Sequence, residues 1–91
     1  MNILHNRVAQ RFEITIDGTT AYLGYQSVDD NTLNYNHTIV PAALAGRGIG
    51  SALTKFALEY AQDHNKKVIA SCSFVARYVE KNPHCRQILA E

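Results

Sequence analysis

Much that would mark a nucleic-acid, membrane or metal protein is missing from this chain. Its 91 residues carry nine Lys and Arg against eight Asp and Glu, a formal net charge of +1. The cations are spread along the chain, which argues against nucleic acid as the main partner. No apolar run approaches the roughly 20 residues of a bilayer-crossing helix. The N-terminal Met1 to Arg7 lacks a signal-peptide core. A cytoplasmic protein with no membrane partner is the expectation. Two cysteines, Cys72 and Cys85, are too few for a disulfide framework. The histidines His5, His37, His64 and His84 stand in no ligand spacing with them, so no metal is expected. There is no repeat, linker or low-complexity segment. This length implies one domain over residues 1–91, with 1–10 an extended or frayed lead-in.

What is present is periodicity that changes once. Phe12, Ile14 and Ile16 alternate with polar residues, and Asp17-Gly18 is a hairpin turn signal. Ala21, Leu23 and Tyr25 share a face of a second strand, Thr20 to Gln26. Asp29-Asp30-Asn31 turns the chain into a third strand, Thr32 to Val40, which puts Leu33, Tyr35, His37 and Ile39 on one face. From Ile49 the spacing becomes helical through Leu53, Phe56, Ala57, Tyr60 and Ala61 to about Asp63. Val68-Ile69-Ala70 is a short buried strand, parallel to the third by the crossover rule. Ser73 is positioned to cap a second helix running to Lys81, which Asn82-Pro83 ends, and a last helical turn fits the tail. The class is α+β, a mostly antiparallel four-stranded mixed sheet with the order β-β-β-α-β-α.

The change of period falls on Pro41 to Leu53, which contains Gly46, Gly48 and Gly50 at every second position. Such a turn leads backbone amides outward, and the following helix adds unpaired first-turn donors and its positive dipole end. The combination suits a phosphate or pyrophosphate, with Arg47 at the rim. A tight turn with no ligand has the same outline. A P-loop is excluded because Gly50, not Lys, precedes Ser51. A dinucleotide fingerprint needs a different glycine spacing and a later acidic residue.

Ala45-Gly46-Arg47-Gly48-Ile49-Gly50 resembles the pyrophosphate loop of the GNAT superfamily of acetyl-CoA-dependent acyltransferases, although Ala45 replaces its usual Gln or Arg. The likeness extends along the chain. Arg11-Phe12-Glu13-Ile14 with Asp17-Gly18, His37 to Pro41, the glycine loop, Cys72 to Val75 with Tyr78, and Asn82-Pro83 occur in the order and spacing of the short single-domain GNAT-like acetyltransferases. The resemblance implies acetyl-CoA as donor and a small-molecule or protein amine as acceptor. It implies that amides around Ala45, Gly46, Arg47, Gly48, Ile49, Gly50 and Ser51 hold the pyrophosphate. It also implies that the pantetheine arm runs along Ile39 and Val40. Ala70 stands where the group commonly has Pro, and the third strand lacks the carboxylate base of larger relatives.

Three residues are then catalytic candidates. His37 carries an imidazole, the side-chain type suited to taking an amine's proton, or it is a hydrogen-bonded core histidine. Cys72, between strand and helix, suits either an acetyl-carrying thiolate or a small buried hydrophobe. Tyr78 suits protonation of the leaving thiolate, or it is a core tyrosine. The function this implies is N-acetyl transfer from acetyl-CoA. The alternatives are a CoA-binding or regulatory module with little turnover, and an interaction domain pairing through its sheet edge. Monomer and homodimer are both open.

Overall fold

A computed structural model describes residues 2–90. The sheet has five strands in the order β1-β2-β3-β4-β5: Leu4–Asn6, Arg11–Ile16, Thr19–Asp29, Thr32–Ile39 and Lys67–Ala70. The first four pair antiparallel, and β5 joins β4 in parallel. Helices α1 (Ile49–Asp63) and α2 (Ser73–Lys81) pack against the sheet, the first in the crossover between β4 and β5. No described helix is long and apolar enough to cross a membrane.

The expected four strands are five because the lead-in is not frayed. Leu4, His5 and Asn6 pair with Glu13, Phe12 and Arg11. Leu4 is 65% exposed, so hydrophobic alternation could not reveal this strand. Side-chain anchors hold it instead. His5 stacks on Phe12 with 4.5 Å between ring centroids, and its Nε2 lies 2.6 Å from the Tyr25 hydroxyl. Asn6 Nδ2 donates to Glu13 Oε1 at 3.0 Å.

Asp17 and Gly18 both take positive φ, 51° and 78°, the requirement of a tight two-residue hairpin. Phe12, Ile14, Ala21, Leu23, Leu33, Tyr35 and Val68 are buried on one face of the sheet. Helix α1 covers them with Ile49, Leu53, Thr54, Ala57, Leu58 and Ala61, and α2 contributes Val75 and Val79. The Tyr35 hydroxyl donates to the Ala57 carbonyl, which satisfies the polar tip of a side chain with no exposed surface. Asn65, at φ 55°, ends α1, and Lys66 N–H closes back on the Ala61 carbonyl at 2.8 Å.

Two details depart from the sequence pattern. Cys72, not Ser73, is the N-cap of α2. The tail forms a 3-10 turn over Pro83–Ile88, after which Ala90 N–H donates to Val68 O at 2.8 Å beside β5.

Candidate functional site

The glycine loop is pinned at both ends and open between them. Leu44 and Ile49 are each 2% exposed, whereas Ala45, Gly46, Arg47 and Gly48 all face solvent. Gly46 and Gly48 take φ 79° and 72°, and a Cβ at either would meet open space. Their glycine identity is thus conformational, because a side chain is disfavoured there whatever the room around it. Gly48 is the N-cap of α1, and no side chain caps the helix. The first helical bond runs from Ala52 N–H to Gly48 O at 3.0 Å. The amides of Ile49, Gly50 and Ser51 precede that bond at the positive end of a 15-residue helix.

Gly50 has another duty. It is buried, and an added Cβ would stand 2.8 Å from Phe74 Cζ, so the first turn of α2 packs its ring directly on the start of α1. The space beside this glycine belongs to the protein's own side chain.

Beyond the loop, β4 and β5 part. Their pairing ends at Tyr35 and Ala70, while β4 continues to Ile39. Cys72 N–H donates to Tyr35 O at 3.0 Å, which fixes the cysteine at the fork. Its Sγ lies 3.5 Å from Thr38 Oγ1. Burial pushes the thiol's pKa up, but the Thr38 hydroxyl and the amides of Val75, Phe74 and Thr38 outweigh it, and the net shift is downward. Cys85 lies elsewhere, against the α1 face that bears Glu59, and burial with that carboxylate raises its pKa.

His37 does not share the core face with Leu33 and Tyr35. Gly24 pairs with His37 but Tyr25 pairs with Tyr35, so Asn36 is an extra residue in β4. This bulge reverses the alternation. His37 is exposed and lies on the open face of the sheet, with its Nε2 3.3 Å from where a Gly24 Cβ would be. Thr38, the next residue, reaches Cys72. The same reversal leaves Ile39 43% exposed.

Tyr78 lies six positions after Cys72 on α2, about 9 Å further along the helix axis at ~1.5 Å per residue. Burial first, then Cys85 and Glu59, raise its pKa.

Comparison with known proteins follows the same outline. A family model described as GCN5-related N-acetyl-transferase matches residues 11–88. The chain belongs to this family. Protein NATD1 of Xenopus tropicalis is 32% identical over 85 residues, covering 91% of this chain and 78% of that protein. Protein NATD1 of Homo sapiens is 32% identical over 85 residues, with 91% and 75% covered. A GCN5-like protein of Staphylococcus aureus, solved by NMR, superposes with a TM-score of 0.76 at 34% identity, over 98% of this chain and 87% of that one.

For this GCN5-related N-acetyltransferase family member, the sequence did not single out Phe74, Arg77 and Lys81. With Ser51 and Tyr78 they line a cleft of about 170 Å³ beside the start of α1. Arg77 and Lys81 stand one helical turn apart, and among the described residues neither forms a salt bridge, the Arg11–Glu13 pair being the one present. Phe74 with Arg77 and Lys81 at i+3 and i+7 was a legible pattern, but α2 has to be placed against α1 before it points to the loop.

Proposed function

We propose that the protein transfers the acetyl group of acetyl-CoA to an amine. The observation that carries this reading is the placement of the fork between β4 and β5 beside the uncapped start of α1. An open, positively polarised loop for a pyrophosphate thus leads into a gap in the sheet that a linear chain can enter. The amides from Ala45 to Ser51 fit phosphate oxygens, with Arg47, Arg77 and Lys81 supplying positive charge. The free edge of β4 up to Ile39 and Val40 offers backbone groups to an amide-bearing arm.

Acetyl-CoA, as substrate, supplies a thioester. The amine nitrogen attacks its carbonyl carbon, the C–N bond forms, the C–S bond breaks, and CoA departs as a thiolate. His37, on the open face, takes the proton that the amine loses. Cys72 lies across the same strand end from His37. Its lowered pKa favours a second route, in which its thiolate first takes the acetyl group and then yields it to the amine. The departing thiolate takes a proton from Tyr78, on the helix that Cys72 begins, or from solvent.

Calorimetry with CoA, followed by thiol release from acetyl-CoA over a panel of amines, tests the proposal. Binding of CoA with amine-dependent thiol release is expected. Gly48→Val should weaken CoA binding strongly, since a branched side chain is strained at φ 72° and fills the open face of the loop. Arg47→Ala should weaken it slightly. Binding with no release on any amine would make the protein a CoA-binding module, and no binding at all would remove CoA from the account.

A further inference from the structure

Two side-chain oxygens of β4, Asn34 Oδ1 and Asn36 Oδ1, are buried with no hydrogen-bond partner among the described residues. Of the two, Asn36 belongs to a cleft. A buried carbonyl oxygen left unpaired costs about 1–3 kcal/mol, so its retention needs a reason. The bulge brings it onto the same side of β4 as His37. Asn36 Oδ1 and His37 Nε2 lie 3.5 and 3.3 Å from the single point where a Gly24 Cβ would stand. Gly24 is what lets both descend onto the sheet.

One strand further on, Arg11 pairs across from Gly24, so Arg11, Gly24 and His37 form one row over β2, β3 and β4. Arg11 Nε donates to Glu13 Oε2 at 2.6 Å, and its guanidinium lies 4.6 Å from the Tyr22 ring centroid. The ion pair holds the fork-shaped head in place while its terminal N–H groups stay available. Tyr22 also meets His37 edge-on, with centroids 6.1 Å apart. Together with Gln10 and Asn36 these residues line a cleft of about 220 Å³. That is below the roughly 300–1,000 Å³ of sites for drug-sized ligands.

We propose that this cleft is the acceptor site and takes a small primary amine that also bears a carboxylate, as a free amino acid does. The amine donates to Asn36 Oδ1 and faces His37 Nε2, and the carboxylate pairs with the Arg11 guanidinium. Asn36 is a pure acceptor at that atom and selects a donor. Arg11 keeps its terminal N–H groups beside the Glu13 pair, and these donors match a carboxylate and give a second ammonium nothing to bond, which sets polyamines apart. The inference rests on the acetyltransferase reading for the fate of the amine, but not for its binding.

The test is an NMR titration of the full chain with three probes: L-alanine, its decarboxylated analogue ethylamine, and 1,3-diaminopropane. L-alanine should shift the signals of Gly24, Asn36 and His37 and bind about tenfold more tightly than either amine. Arg11→Gln should remove that preference, and Asn36→Ala should weaken all three about tenfold. Asn36→Asp keeps an acceptor oxygen and should keep amine binding. Equal affinity for L-alanine and ethylamine, or shifts confined to another surface, overturns the proposal. Acetyl transfer measured alongside separates the two readings. L-alanine bound in the cleft but never acetylated preserves the site and sinks the transfer. Acetylation of amines that bind elsewhere does the reverse.

Discussion

Replacing Gly50 by alanine sets two effects of opposite sign against each other. A glycine in a helix is worse than alanine by about 0.5–1 kcal/mol, so the substitution should stabilise on backbone grounds alone. The new Cβ would stand 2.8 Å from Phe74 Cζ, a separation that cannot persist. Phe74 is 40% exposed and is free to swing outward. The upper limit of the cost is then the burial the ring gives up, about 1–2 kcal/mol from a full value near 1.5–3 for such side chains. Gly50→Ala alone should therefore range from neutral to about 1.5 kcal/mol destabilising. In a Phe74→Ala background the same change should stabilise by about 0.5–1 kcal/mol. Urea unfolding followed by circular dichroism gives both values. With a slope near 1 kcal/mol/M, a coupling of about 1–2 kcal/mol moves the midpoint by roughly 1–2 M between backgrounds. An equal effect of Gly50→Ala in both backgrounds would falsify the contact between the two helix starts.

The cysteines should behave oppositely toward a small alkylating reagent. The Cys72 rate should titrate with a midpoint below an ordinary thiol and Cys85 above one, and CoA should protect Cys72 alone; protection of Cys85 in its place would move the donor site to the wrong end of α2. A hydroxylamine-sensitive acetyl group on Cys72 would mark the two-step route, and its absence in an active protein the direct one. His5 gives a pH dependence. Burial, then Arg7 and His64, lower its folded pKa below the ordinary 6.5. Its contribution to stability is therefore complete above the unfolded pKa and is lost as pH falls through the folded one. His5→Gln should flatten the fall in urea midpoint between pH 7 and 5, and an unaltered slope would refute the assignment.

The elements legible in the sequence were those fixed by local signals. Asp17-Gly18 and the helical spacing from Ile49 to about Asp63 each carry their own geometry, and both stand where the pattern puts them. Strand β1 was hidden because its outward Leu4 and anchoring His5 invert the usual pattern, and one partner that holds it, Tyr25, is 20 residues away. The loop was legible as a glycine run, but Gly50 differs in kind from Gly46 and Gly48. Nothing local distinguishes a glycine that packs under Phe74 from one that needs positive φ. His37 was misplaced for a similar reason. Alternation from Leu33 through Ile39 is unbroken as text, and only the pairing with Gly24 and Tyr25 reveals the additional residue.

That additional residue is one the ladder can lose without turning the strand over. With Asn36 gone, His37 would follow Tyr35 in a regular strand, still opposite Gly24, with the imidazole outward and Thr38 inward as before. Length variation at this point in related chains would thus leave the orientation of the strand end unchanged and alter only what the bulge presents, the Asn36 side chain. A single-codon deletion at Asn36 removes that side chain and the bulge together, whereas Asn36→Ala removes the side chain and keeps the bulge. Comparing the two separates what the oxygen does from what the irregular backbone does.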